Sequence, residues 1–391
     1  MSNVDSGPSL GELPEGPWTG AFNRAEGFMM DGNRLEHKGS SDGLAGAIAS
    51  YRSAFEVLSA QLPIPNLPLA EAHRRLGLAR MNEGNAWMKR STQPAAEGCI
   101  EKATTAYEAA IEWLEKSAAA SHAVGNPTAL RDRNTLGAAW MNLGHALHTR
   151  GDLDGVERAL LAFDSSLGWL RSLPLQENEW YRLNLAGAES NRANALLSRF
   201  VHRGANGSAP PFAAATSAAL RADLIAAREN ALRAVSALED IERTRADAAD
   251  LGLKARRALC DALGELLPRA GADLDQMSAL ADEAVDVAES GLALYRAWPR
   301  YTDIFEPIAL RLYRFGATVY RIHQPHFLAE FLDENGKWDS EPWREIARDE
   351  IGHARHDLQH VRHFTVGDRD SERRLETGRT LTDLIKKFGL K

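Results

Sequence analysis

The stretch Trp140–Leu147 reads Trp-Met-Asn-Leu-Gly-His-Ala-Leu and decides how the rest of the chain is interpreted. Trp140, Leu143 and Leu147 lie three and four positions apart, so they share one face of a helix. Gly144 lies next to them, and its missing side chain lets a second helix approach closely, although glycine costs about 1 kcal/mol in helix propensity. The stretch therefore predicts one member of a closely packed helix pair.

Composition favours an all-helical protein. The 391 residues are 44% hydrophobic and 26% charged, and the net charge of −8 argues against a nucleic-acid groove. Cys99 and Cys260 have no paired spacing, so neither a disulfide framework nor a zinc signature is present. The first twenty residues lack the features of a signal peptide, and no apolar run of about 18 residues occurs. We expect a cytoplasmic protein with no membrane partner.

The pattern around Gly144 recurs along the chain. Each copy has glycine or alanine at the close-approach position and an apolar residue three positions later, so each predicts a first helix whose small residue faces its partner. The other copies centre on Gly32, Gly84, Ala193, Gly264 and Gly316.

A second pattern follows each copy of the first. It consists of a small residue, then residues four, seven and eleven positions later, which share one stripe of a helix. Six alternating copies are hard to obtain by chance. The stripes are Ala47, Tyr51, Ala54 and Leu58; Ala103, Tyr107, Ala110 and Leu114; Ala159, Phe163, Ser166 and Leu170; Ala227, Ala231, Ala234 and Leu238; Ala281, Val285, Ala288 and Leu292; and Ala347, Ile351, Ala354 and Leu358.

Residues 21–365 resemble the tetratricopeptide repeat superfamily through these paired patterns, with Trp140–Leu147 as the best match. The resemblance implies an all-α, right-handed superhelical solenoid of about six helix pairs. Residues 1–20 form a flexible leader and residues 366–391 a C-terminal capping helix in this interpretation. The copies lie roughly 50 to 70 residues apart instead of the usual 34, so the helices are elongated.

The resemblance also implies a concave groove lined by the first helix of each pair. Asparagine offers both donors and an acceptor, so a ladder of asparagines could hold the backbone of an extended peptide. The alternatives are that these asparagines bridge helices inside the stack, and that the methionines are core residues; the N-terminal leader could also fill the groove. The candidate binding residues are Asn33, Asn82, Asn85, Asn142, His145, Asn191, Asn194, Met81 and Met141.

A histidine face is the second candidate site. His353, His356, His360 and His363 follow spacings of three and four, so they share one side of a helix. Neighbouring imidazoles can share a metal ion, but one helix face supplies two ligands readily and four poorly. A solvated or partner-contacting face is the alternative, and no cofactor is expected.

No nucleophile elbow, phosphate-binding loop or dinucleotide-binding glycine pattern occurs, so nothing supports catalysis. The sequence therefore predicts a scaffold or adaptor that binds another protein or a peptide. A receptor for a small signalling peptide is one alternative. A metal protein or an enzyme built on the histidine face is another.

Overall fold

The computed structural model describes residues 16–64, 66–94, 96–123, 129–205, 214–269, 274–299, 309–311, 313–314, 317, 345, 349 and 352. The predicted all-α fold is confirmed, because helices make up the secondary structure of these residues. The helices are α1 Thr19–His37, α2 Ser41–Ser59, α3 Leu69–Ser91, α4 Cys99–Ala123, α5 Ala129–Thr149, α6 Leu153–Leu170, α7 Glu179–Ala205, α8 Ala214–Leu238, α9 Ala246–Leu266 and α10 Leu274–Ala297.

The chain divides into two compact units, Met1–Ala195 and Leu196–Lys391, and the boundary in the chain falls within the residues of α7. The sequence patterns predict one repeat domain over residues 21–365. The predicted capping helix and the sixth stripe, apart from isolated positions, lie outside the described residues. No helix in the described part of the chain combines the length and the apolar character needed to cross a bilayer.

Glycines organise the helix pairs of the first unit. A Cβ atom on Gly84 of α3 would lie 2.5 Å from the Tyr107 ring of α4, and one on Gly77 would lie 2.5 Å from Leu114. The earlier residue of α3 thus meets the later residue of α4, so the two helices are antiparallel. Gly144 receives Phe163 in the same way between α5 and α6. The prediction that each first-pattern glycine faces the following stripe is confirmed here.

The second-pattern stripes form the core of their helices. In α2, α4, α6, α8 and α10 the stripe residues are at most 2% exposed, except for Val285, which is half-buried. Burying small and large residues alternately lets the paired backbones approach while the rings fill the remaining space. Cys99 and Cys260 are buried free thiols, as expected for small apolar residues.

The register predicted for the fifth pair is wrong. A Cβ atom on Gly264 would contact Tyr313, and no α10 atom lies close to it. The α9 residues that reach α10 lie one to two turns earlier, since Arg256 donates to the Ser290 hydroxyl at 2.9 Å. Cys260, which is fully buried, also faces α10 through the carbonyl of Ala284. A small cysteine can take the close-approach position as well as a glycine can, and the sequence pattern did not allow for it.

Candidate peptide-binding face

The first helices of the first unit lie side by side. Lys89 of α3 pairs with Glu36 of α1, and the Asn142 amide of α5 donates to Asn85 of α3 at 3.2 Å. These contacts link consecutive first helices without passing through the second helices. The surface shared by α1, α3, α5 and residues 179–195 of α7 is called the first-helix face below.

A pair of asparagines outside the predicted ladder links α5 to α7. The Asn184 amide donates to the Asn134 side chain at 3.0 Å. Each residue lies three positions before a glycine, Gly137 or Gly187. Gly137 lies seven positions before Gly144, and Gly187 lies six positions before Ala193. That second glycine was the available signal.

Tyrosines fix the asparagines that follow the close-approach glycines. The Tyr51 hydroxyl lies 2.8 Å from the side-chain oxygen of Asn33 and 2.7 Å from a carboxylate oxygen of Glu36, so its single O–H has both as acceptors within reach. The Tyr107 hydroxyl donates to Asn85, again at 2.8 Å. Burial is the main reason that the pKa of each tyrosine is raised, so both phenols stay protonated and act as donors. Each ring packs over a glycine of the partner helix, and its hydroxyl reaches the asparagine that follows this glycine in the sequence.

The third and fourth pairs depart from this arrangement. Phe163 replaces the tyrosine, and His145, which is half-buried, replaces the asparagine. In α7 the Asn194 amide donates to the Ser190 carbonyl of its own helix at 3.1 Å. Asn33, Asn85 and Asn194 therefore all have partners within the fold.

The asparagines two residues before the small residue differ in their hydrogen bonding from those one residue after it. Asn82, Asn142 and Asn191 occupy the earlier position in α3, α5 and α7, and all three are half-buried. Asn142 bonds to Asn85, whereas Asn82 and Asn191 make no side-chain hydrogen bond with any described residue. The same position in α1 holds Met30, which is 65% exposed. The asparagine pattern does not predict Met30, because a methionine interrupts it at this position.

The two candidate methionines belong to the interior. Met81 is fully buried, and Met141 is 8% exposed. The Met141 sulfur lies 3.0 Å from the point where a Cβ atom on Gly187 would stand, so it fills the gap between α5 and α7. Their packing places them under the first-helix face instead of on it.

Charges near the start of α3 are neutralised within the fold. Glu71 accepts hydrogen bonds from Arg74 and Arg75, both buried, and Arg131 of α5 lies 3.5 Å away. Burial acts to raise the pKa of Glu71, but the hydrogen bonds and charges of Arg74 and Arg75 outweigh it and leave the pKa lowered. This cluster joins the first helices, while the row through Asn82, Asn142 and Asn191 offers neutral amides.

The candidate metal ligands His353, His356 and His360, with His363, lie outside the described residues. Within the described part of the chain no group of three or more metal-binding side chains comes together.

No family model matches the chain, and no curated protein matches it. Among solved structures, the S. pombe nuclear import adaptor Nro1 is similar at 11% sequence identity and a TM-score of 0.47. The match covers 94% of this chain and 99% of that one. At this identity and TM-score the likeness carries no argument about partners.

Proposed function

We propose that this protein is an adaptor that holds an extended segment of a partner protein across the first-helix face. The observation that carries the proposal is the pair Asn82 and Asn191, whose amides have no partner among the described residues. They occupy the same position in α3 and α7, on either side of Asn142. A half-buried amide without a partner is available to a ligand backbone, whose N–H and C=O groups it can both satisfy.

The spacing of the row suits an extended chain. Neighbouring packed helices lie about 8–10 Å apart, and an extended chain advances about 3.3 Å per residue. One amide would therefore meet roughly every third residue of the ligand. Because the amides recognise the backbone, they set the position of the peptide and leave its side chains free to vary.

The proposal also covers the type of repeat and the cellular location of the protein. The unit is an elongated helix pair of the tetratricopeptide type, supported by the aromatic ring that crosses a glycine in three successive pairs. The two buried free thiols support a cytoplasmic location, since unpaired cysteines suit a reducing compartment.

A displayed library of random linear peptides, selected on the full chain, tests the proposal. Selected peptides should lose at least about tenfold in affinity for the Asn82→Ala/Asn191→Ala variant, since each lost amide removes hydrogen bonds of about 0.5–1.5 kcal/mol. The melting temperature of the variant should stay close to that of the wild type.

Two outcomes would overturn the proposal. The first is a failure to select any peptide that binds the wild type. The second is selected peptides that bind the wild type and the double variant equally well. A scrambled version of each peptide serves as a control: a backbone-directed row should retain a substantial part of its affinity for it.

A further inference from the structure

A groove of about 380 Å³ lies between α2 and α3, on a different set of residues from the amide row. Ile48 and Trp87 contribute buried apolar surface, and Arg52 and Arg90 line its wall. Glu56 is the acidic residue of the lining. The groove thus combines an apolar floor with an excess of positive charge, in a chain whose net charge is −8.

Three cations surround the ring of Trp87. The Arg52 guanidinium lies 5.8 Å from the ring centroid, that of Arg90 lies 5.5 Å away, and the Lys102 ammonium of α4 lies 4.7 Å away. Cation–π contact holds each charge close to the others despite their mutual repulsion. Concentrated positive charge of this kind needs negative charge nearby.

Only part of that charge is balanced within the fold. Arg52 donates to the buried Glu83 carboxylate at 2.7 Å, and Arg80 pairs with the same carboxylate. Arg90 and Lys102 form no ion pair with any carboxylate among the described residues. Both side chains reach solvent, since Arg90 is half-buried and Lys102 is exposed.

In the next helix pair, the cations at the two equivalent positions each have a carboxylate nearby. Arg150 lies six residues after Gly144, as Arg90 lies six after Gly84, and it pairs with Asp152 at 2.9 Å. Arg158 directly precedes the stripe of α6, as Lys102 directly precedes that of α4, and it lies 3.5 Å from Glu108. The repeat supplies acids for these cations in one pair and not in the other.

We infer that the groove beside Trp87 binds an acidic linear segment of a partner protein, with carboxylates against Arg90 and Lys102 and an adjacent apolar side chain over Ile48. The size of the groove suits a few side chains. A nucleic acid would need a longer basic stripe, which the acidic Glu56 and the net charge of the chain oppose. This second site is independent of the proposed amide row.

Binding of one synthetic peptide to the full chain tests the inference. The probe is a fluorescein-labelled octapeptide of Asp and Glu around a central Leu-Leu pair, followed by fluorescence anisotropy. The comparison peptide replaces every Asp and Glu by Asn and Gln. The Arg90→Gln/Lys102→Gln variant should bind the acidic peptide at least about tenfold more weakly than the wild type, because two charge-assisted contacts are lost. The matched Arg150→Gln/Arg158→Gln variant should bind it as the wild type does.

Several results would overturn the inference. These are no binding of the acidic peptide to the wild type, equal binding of the neutral peptide, or equal losses in the two double variants. Tighter binding of a single-stranded DNA octamer through Arg90 and Lys102 would also overturn it. Should the first double variant melt early, Lys102→Gln alone decides, since its side chain is exposed: an unchanged affinity contradicts the assignment. Asn82→Ala/Asn191→Ala should leave this binding intact, which separates the two sites.

Discussion

Asn142 of α5 donates a hydrogen bond to the side-chain oxygen of Asn85 in α3, and the same oxygen accepts the hydroxyl of Tyr107 from α4. One amide oxygen therefore joins three helices from two successive pairs. Asn82, one turn earlier in α3, has no such bond with the described residues. Within the described residues, Asn85 therefore contributes hydrogen bonds to the fold and Asn82 does not, and the two should differ in their effect on stability.

Replacing Asn85 by Ala should lower the free energy of unfolding by about 1–3 kcal/mol, because the Tyr107 hydroxyl, on a side chain 2% exposed, loses its acceptor. Asn82→Ala should change it by no more than about 0.5 kcal/mol, as expected for a side chain without a partner. Urea unfolding of both variants makes the comparison. Equal losses in the two variants would mean that Asn82 is also structural.

Replacing glycine by alanine should change the stability in opposite directions at two positions, because the helices approach closely at only one of them. A Cβ atom on Gly84 would lie 2.5 Å from the Tyr107 ring, so Gly84→Ala should destabilise the protein by about 1–3 kcal/mol through overpacking. Gly168 of α6 is exposed and has no atom within 4 Å of its Cβ position. Gly168→Ala should therefore stabilise the helix by about 0.5–1 kcal/mol. Thermal unfolding distinguishes the signs, and a stabilising Gly84→Ala would contradict the packing.

Local sequence patterns predict these pairs because the missing side chain and the opposing ring each belong to a pattern of fixed spacing within their own helix. Gly84 with Tyr107 and Gly144 with Phe163 show that signature plainly. The same rule gives the wrong register in the fifth pair, where Cys260 serves as the small residue and Gly264 faces Tyr313. Two small residues one turn apart are both compatible with helix periodicity, and only the neighbouring helices decide between them.

Breaking a buried ion pair should strongly destabilise the second unit. Arg256 of α9 forms two hydrogen bonds of 2.7 Å with Glu242, and both side chains are under 10% exposed. Arg256→Met should cost about 3–5 kcal/mol because it leaves the Glu242 carboxylate buried without its partner.

The exposed pair Arg269 and Glu265 provides the control, and Glu265→Gln should cost no more than about 1 kcal/mol. Denaturant unfolding followed by circular dichroism measures both variants. A loss below 1 kcal/mol for Arg256→Met would show that the pair does not support the fold.

The Glu71 cluster predicts how stability depends on pH. Burial would raise the pKa of Glu71, but Arg74 and Arg75 lower it below its ordinary range, so the folded state favours the ionised form. The stability from this group is present at neutral pH and is lost as the pH falls below about 4.3 and through the folded-state pKa.

The Glu71→Gln variant lacks this titration. Its free energy of unfolding should fall less steeply between about pH 5 and pH 3 than that of the wild type, by up to about 1.4 kcal/mol per pH unit. Urea unfolding across that range tests the sign. An equally steep or steeper fall in the variant would contradict the cluster geometry.

The candidate site was less predictable than the fold. The sequence places Asn82, Asn85 and Asn142 close together on first helices, but it does not show which amides have partners. The Tyr107 hydroxyl of α4 donates to the side-chain oxygen of Asn85 in α3. The burial of Met81 depends on how neighbouring first helices pack. Hydrogen-bond partners and burial are tertiary properties, so sequence spacing alone does not reveal them.

Photo-crosslinking of a selected peptide tests the central claim most directly. A diazirine-bearing version of the tightest peptide, cross-linked to the full chain and mapped by mass spectrometry, should attach to the row through Met30, Asn82, Asn142 and Asn191. Excess unlabelled peptide should abolish these cross-links. Cross-links that fall instead on the exposed faces of α2, α4 and α6, with none on that row, would contradict the account.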